Sequence, residues 1–169
     1  DNTFSGVSLP DFSECAGVKR RQEILHDSEK LVVLSDFAHH PTAIAGALES
    51  LRARWSGRKI IACFEPRSNT AVTNVFEDRF ANALGLADVG LLGAVHRAEK
   101  ISQDQRINTE NMIQRIKDQG KSGHAFATNQ ELETFLKSYH FSGPSLVVFF
   151  SNGSFDGVID RFAESVKKS

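Results

Sequence analysis

The residues able to do chemistry in this chain collect in short stretches, each placed just after an apolar run. The first is Asp36-Phe37-Ala38-His39-His40-Pro41-Thr42, which follows Leu31-Val32-Val33-Leu34. Two histidines at a helix start can bind phosphate, because free N–H groups and the helix dipole favour an anion there. Asp36 can accept from a ribose hydroxyl or hold a metal ion through water. Metal ligation by the His39–His40 pair is disfavoured: adjacent side chains diverge, and no third ligand has a recognisable spacing. The stretch reads equally well as a loop with one buried, hydrogen-bonding histidine.

The second stretch, Glu65-Pro66-Arg67-Ser68-Asn69-Thr70, follows Lys59 to Phe64. Pro66 forces an extended exit from the preceding residues. Arg67 can then aim a planar, bidentate donor at a carboxylate or phosphate. The local alternative is a surface salt bridge between Arg67 and Glu65. The third stretch is Ser151-Asn152-Gly153-Ser154-Phe155-Asp156-Gly157. Its glycines let backbone approach a ligand closely, although an ordinary turn would use them too. His96, Arg97 and Glu99 follow a further apolar run. His26, His96, His124 and His140 have no evident partners and are expected to be structural or solvent-facing. There is no Gly-x-x-x-x-Gly-Lys-Ser/Thr phosphate loop, no Gly-x-Gly-x-x-Gly and no Gly-x-Ser-x-Gly elbow.

The elements that must position these residues alternate between strand and helix. Strands are expected at Leu31–Leu34, Lys59–Phe64, Asp88–Val95, His124–Ala127 and Ser145–Phe150. Helices are expected over Ala43–Trp55, Asn74–Leu84, Thr109–Gln119, a segment from Thr128 to about Tyr139, and Phe155–Lys167. For the first helix, either Pro41 is the opening helical residue or Thr42 is the N-cap. In the second, Val75, Phe76, Phe80, Ala83 and Leu84 are placed for burial. Gly57 and Gly120 sit where helices should stop. The rhythm predicts a doubly wound, mostly parallel, Rossmann-like α/β sheet of about six strands. Val18–Leu25, polar and close to the first core strand, reads as one antiparallel edge strand. Residues 1–17 read as a linker with a short helical turn, and residues 18–169 as one domain. In such a sheet ligands bind beyond the carboxyl ends of the strands, so the three stretches converge on one rim.

Composition narrows the function classes. A chain of 169 residues with 40% hydrophobic and 24% charged residues is an ordinary globular domain, not a disordered one. The net charge of −1 argues against nucleic-acid binding by bulk electrostatics, and Lys19-Arg20-Arg21 is too short to imply it. Cys15 and Cys63 fit no metal-ligand spacing; Cys63, inside an apolar run, is expected to be a core residue in a reducing cytoplasm. No apolar run is long enough for a membrane helix, and no signal peptide is evident. The chain starts with Asp1, so it is expected to be a piece of something longer.

The three stretches resemble the C-terminal domain of the Mur ligases, over nearly the whole chain from Gly17. Asp36-Phe37-Ala38-His39-His40-Pro41-Thr42-Ala43-Ile44 is shared with the L-alanine-adding branch. Glu65-Pro66-Arg67-Ser68-Asn69-Thr70 and Ser151-Asn152-Gly153 are more similar to the murein peptide ligase branch, as is Gly17-Val18-Lys19-Arg20-Arg21 at the domain junction. The resemblance implies a cytoplasmic, bacterial, ATP-dependent amide ligase of murein recycling. It would join L-alanyl-γ-D-glutamyl-meso-diaminopimelate to UDP-N-acetylmuramate, with ATP and Mg2+ bound mainly by a central domain outside this sequence. By position, Asp36, His39, His40 and Thr42 would lie near the ATP phosphates or ribose. Arg67, Ser68, Asn69 and Thr70 would meet the peptide, and Ser151, Asn152 and Gly153 its distal end. No residue here would be catalytic by itself, no metal would be held here, and the fragment alone would be inactive. The implied partners are the two substrates and the N-terminal and central domains, without nucleic acid or membrane. The alternatives are the L-alanine-adding ligase and a non-catalytic doubly wound binding module. Three positions depart from the family: Ser35 replaces a common acid, and Ser154 and Asp156 replace glycines.

Overall fold

The computed structural model describes residues 21–168. The expected 1–17 lead-in, Cys15 and the start of the expected edge strand, Val18 to Arg20, lie outside them. In chain order the elements are β1 (Glu23–Asp27), β2 (Leu31–Asp36), α1 (Pro41–Arg54), β3 (Lys59–Phe64), α2 (Glu77–Leu84) and β4 (Val89–Leu92). There follow α3 (Thr109–Asp118), β5 (Ser122–Ala125), α4 (Asn129–Ser138), β6 (Ser145–Phe150) and α5 (Val158–Lys167). The six strands form one sheet in the order β1-β2-β6-β3-β4-β5. Every pairing is parallel except β1 with β2, so the antiparallel edge strand is present, shifted toward Asp27.

The topology explains where the helices go. From β2 the chain steps across the sheet to β3, β4 and β5, and right-handed crossovers put α1, α2 and α3 on one face. Ile44, Leu48, Leu51, Phe80, Leu84, Met112 and Ile116 form that layer of core. The return from β5 to β6 reverses direction and carries α4 over the opposite face, where α5 joins it. Leu132, Leu136, Val158, Ile159 and Phe162 build the second layer. With helices on both sides, β2 and β6 are buried throughout, which is why they read as unbroken apolar runs. Aromatic packing fills both layers: Phe64 stacks on Phe80 at 4.8 Å, and Phe149 meets Phe155 edge-on at 5.5 Å. Cys63 is fully buried in this core, as expected, and burial pushes its thiol pKa far up.

Local chemistry corrects several sequence-based boundaries. His40, not Thr42, is the N-cap of α1; its Nδ1 accepts from Thr42 N–H at 3.4 Å, and Pro41 is the first helical residue. Asn74–Leu84 is not one helix. A 3-10 turn, Asn74–Phe76, precedes α2 and rotates Val75 outward, where it is 72% exposed rather than buried. Likewise a 3-10 turn, Phe155–Gly157, precedes α5. β4 stops at Leu92, opposite the end of β3 at Phe64, instead of running to Val95. β5 lies two residues earlier than expected. α4 opens on the Thr128 signal as anticipated: Thr128 and Glu131 form a reciprocal capping box.

Candidate functional site

Strand register places the three stretches side by side. Asp36 pairs with Phe150, and Phe150 with Phe64, so β2, β6 and β3 end level with one another. Backbone bonds continue past the strands: Ser151 N–H donates to Asp36 O at 3.1 Å, and Glu65 N–H to Phe150 O at 3.1 Å. The loops after β2 and β3 lead to helices on one face, and the loop after β6 leads to α5 on the other. Neighbouring loops therefore part at β6 and open the rim there, the place where open α/β sheets take ligands.

Glu65 organises one side of this rim. It follows a wholly apolar strand and is only 2% exposed. Its Oε2 accepts from Ser151 Oγ at 2.5 Å and from Phe155 N–H at 3.3 Å. Its Oε1 accepts from Asn129 Nδ2 at 3.2 Å and faces Arg67 Nη1 at 3.6 Å. The Glu65–Arg67 ion pair, the local alternative for this stretch, thus exists, but Glu65 is buried, so the pair anchors Arg67 instead of decorating the surface. Arg67 lies across Gly153, where a Cβ would collide with Cδ, Nε and Cζ of the arginine. Only glycine permits this approach. Gly153 N–H in turn donates to Ser151 Oγ at 2.8 Å. Asn152 is half-buried, and its Oδ1 has no hydrogen-bond partner among the described residues.

Ser68 shapes the loop after Arg67: its Oγ accepts from Ala71 N–H at 3.2 Å, and its carbonyl from Val72 N–H at 3.1 Å. That turn leaves Asn69 and Thr70 exposed. The structure therefore brings together Arg67, Ser151, Asn152 and Gly153, with Ser68 fixing the turn that carries Asn69 and Thr70.

The other side of the rim is built around α1. Asp36 is 7% exposed, and both its oxygens are engaged: Oδ1 accepts from Ala38 N–H at 2.7 Å, and Oδ2 from Gln22 N–H at 3.1 Å. The carboxylate shapes the loop to the histidines and ties down the residue ahead of β1. His39 Nδ1–H donates to Phe37 O at 2.9 Å and packs edge-on against the Phe37 ring at 5.2 Å. His40 uses Nδ1 as the helix cap, which leaves Nε2 as its N–H nitrogen. Its ring meets Phe76 at 5.4 Å. Arg79 lies over Phe76 at 5.0 Å and donates to Thr42 Oγ1 at 3.2 Å. A helix N-terminus, two imidazoles and a guanidinium thus share one corner, a set suited to an anion.

Several of these roles were invisible locally. Glu65 was legible only as a salt-bridge partner of Arg67. Asn129 and Arg79 carried no site signal, since each meets the rim through a contact remote in sequence, and Phe155 stood in the third stretch only as part of a turn. Asp156, with its backbone in the left-handed region (φ 51), accepts from Asn129 Nδ2 at 2.8 Å. Its carbonyl accepts from Arg161, which is also paired with Glu133. Arg161, aided by Lys137, holds the Glu133 carboxyl below the usual carboxylate range, against the opposing push of burial. Among the described residues no three His, Cys, Asp or Glu side chains stand together as a metal site.

Comparison with known proteins accounts for this architecture. Residues 20–153 match the family model described as "Mur ligase, glutamate ligase domain". The chain is 30% identical over 168 residues to a UDP-N-acetylmuramate–L-alanine ligase of Cytophaga hutchinsonii, covering 97% of this chain and 34% of that protein. It is also 30% identical over 168 residues to a UDP-N-acetylmuramate–L-alanyl-γ-D-glutamyl-meso-2,6-diaminoheptandioate ligase of Haemophilus influenzae, covering 96% and 35%. A crystal structure of a murein peptide ligase from Psychrobacter arcticus superposes with a TM-score of 0.73 at 27% identity, covering 91% of this chain and 31% of the other. The chain spans about a third of the length of the curated relatives it matches. With its six-stranded sheet and its three rim stretches, the chain belongs to the Mur ligase family, as that family's C-terminal domain.

Proposed function

We propose that this chain is the acceptor-binding domain of an ATP-dependent amide ligase that joins L-alanyl-γ-D-glutamyl-meso-diaminopimelate to UDP-N-acetylmuramate. The observation that carries the reading is the Arg67 guanidinium laid across Gly153 and anchored by buried Glu65. Its side chain is 30% exposed. That leaves donors for an incoming carboxylate, which a fork-shaped guanidinium binds in a bidentate way. A charged peptide needs such a partner where it is desolvated.

In this reading ATP phosphorylates the lactyl carboxylate of the nucleotide sugar, and the peptide amine displaces phosphate to form the amide. Arg67 with Asn69, Thr70, Ser151, Asn152 and Gly153 holds the peptide so that its amine points toward the acyl donor. Ser68 sets the turn. Asp36, His39, His40 and Thr42 face the phosphates or ribose of ATP from the start of α1, where N–H groups and the helix dipole favour negative charge. Asp36 contributes mainly by fixing the loop, because both its oxygens are already engaged. In this reading Mg2+ would be held mainly by the central domain. Closure of this domain over the central one would exclude water from the acyl phosphate. The 169-residue chain alone is accordingly expected to be inactive, and the whole enzyme to work in the cytoplasm. Among the described residues no helix is long and apolar enough to cross a membrane.

The second reading, an L-alanine-adding ligase, is favoured by the equal 30% identity to the Cytophaga hutchinsonii protein. The Arg67 stretch argues for the peptide. In the full-length ligase, Arg67→Ala should raise the tripeptide KM by roughly 10-fold or more while leaving the ATP KM near its original value. An unchanged tripeptide KM removes Arg67 from the pocket.

A further inference from the structure

We propose that Asn129, the first residue of α4, is the positioning residue of the acceptor pocket and acts through Glu65 on Arg67. The inference rests on reading the Arg67 side of the rim as that pocket. Asn129 is 4% exposed. Its Oδ1 accepts from Ala94 N–H at 3.0 Å, just past the end of β4. Its Nδ2 donates to Glu65 Oε1 at 3.2 Å and to Asp156 Oδ2 at 2.8 Å. One amide therefore joins the loops after β3, β4 and β6 and uses both of its polar atoms to do so. Gly93 has no room for a side chain, since a Cβ there would stand 2.5 Å from Asn129 Oδ1 and 2.8 Å from Phe155 Cε1.

The arrangement has a consequence for binding. Arg67 is the cation beside buried Glu65, at 3.6 Å. If it turns toward a ligand carboxylate, Glu65 keeps three neutral donors: Ser151 Oγ, Phe155 N–H and Asn129 Nδ2. A buried carboxylate stripped of its partners is strongly unfavourable. Among the described residues Asn129 supplies the one neutral donor on Oε1, the oxygen that faces Arg67. It thus lets the arginine be shared between Glu65 and the ligand. Its bond to Asp156 lies past Ser151 to Gly153, so its effect on the acceptor runs through Glu65. Without Asn129, Glu65 retains Arg67 more tightly.

The test is a double-mutant cycle in the full-length ligase: Asn129→Ala, Arg67→Ala and both together, each checked for native circular dichroism. Asn129→Leu runs in parallel. It keeps the volume, removes the donor to Glu65 and adds no charge beside Glu65 and Asp156, and it carries the test if the alanine variant does not fold. The KM of whichever acceptor the wild type uses should rise about tenfold in either single Asn129 variant, with the ATP KM within about twofold. In the Arg67→Ala background the Asn129 substitution should add little, because its route of action is gone. A full additional factor in that background overturns the inference, as does an equal rise in both KM values or no rise in a folded variant. A wild type that takes L-alanine and not the tripeptide overturns the substrate reading instead, and the cycle run with L-alanine still decides the role of Asn129.

Discussion

Gly153→Ala isolates the contact on which the pocket depends. A Cβ at this position would stand 2.8 Å from Arg67 Cζ, and nearer still to Cδ and Nε. Ordinary carbon contacts lie at about 3.5–4.0 Å, so the guanidinium must move by roughly 1 Å. Its ion pair with Glu65 is already long at 3.6 Å, and a shift of that size misaligns it. A charge-assisted hydrogen bond contributes roughly 1.5–3 kcal/mol, so loss of alignment should raise the tripeptide KM roughly 10- to 150-fold. Stability should change little. Gly153 does not occupy the left-handed region, so alanine adopts its backbone without strain, and Arg67 can swing toward solvent. Glu65 keeps its three neutral donors when Arg67 moves, so we expect a loss of no more than about 1.5 kcal/mol. Gly46→Ala is the control: nothing lies within 4 Å of a Cβ there, and the substitution sits inside α1, where it should stabilise by roughly 0.5–1 kcal/mol. Thermal melts of the 169-residue chain give the stability arm, and initial rates of the full-length ligase give the KM arm. A normal tripeptide KM in Gly153→Ala would show that the Arg67–Gly153 contact does not shape the pocket, and a fall in Tm as large as that of a core deletion would show that the contact serves the fold instead.

Two further outcomes follow from the core and the charge pattern. In a chain carrying Cys15→Ser, the Cys63 thiol should not react with a thiol reagent until the protein unfolds, because it is fully buried and its pKa is pushed far up; fast labelling under native conditions would contradict this. Acid should destabilise the fold through Asp88 and Glu133. Burial pushes the Asp88 carboxyl up, but Ile60 N–H, Arg52 and Lys121 together bring it below the usual range; Arg161 does the same for Glu133. Both folded values lie below unfolded values of about 3.9 and 4.3, so this stabilisation is complete above roughly pH 5 and disappears as pH falls through the depressed values. Urea unfolding of Glu133→Gln between neutral pH and pH 3 should show a shallower acid dependence than the parent. Parallel curves would show that Glu133 does not contribute to the acid dependence.

The sequence was most legible where physics is local. Ser145–Phe150 and Lys59–Phe64 match their strands residue for residue, because strands covered on both faces leave unbroken apolar runs. Thr128 with Glu131 announces α4 by a cap that needs no tertiary partner. Val75 misled because helical spacing assumes one continuous helix, while a 3-10 turn reset the phase before α2. At the rim, the stretch around Arg67 was readable from its side-chain types. The roles of Glu65 and Asn129 were not: Glu65 meets Ser151, 86 residues on, and Asn129, 64 residues on. Nothing near Asn129 in sequence says that its amide is buried; it reads as an ordinary residue after an N-cap. Asp36 looked like a ligand-facing acid, yet its oxygens are taken by two backbone N–H groups that only the folded loop brings near.

A competition between the two amines identifies the acceptor. The full-length ligase would receive ATP, Mg2+ and UDP-N-acetylmuramate with equal concentrations of L-alanine and L-alanyl-γ-D-glutamyl-meso-diaminopimelate, and the early products would be resolved by mass. The tripeptide adduct is the expected main product, formed more slowly and with no switch to L-alanine when Arg67 is replaced by alanine. Predominant formation of the L-alanyl adduct would contradict the tripeptide assignment.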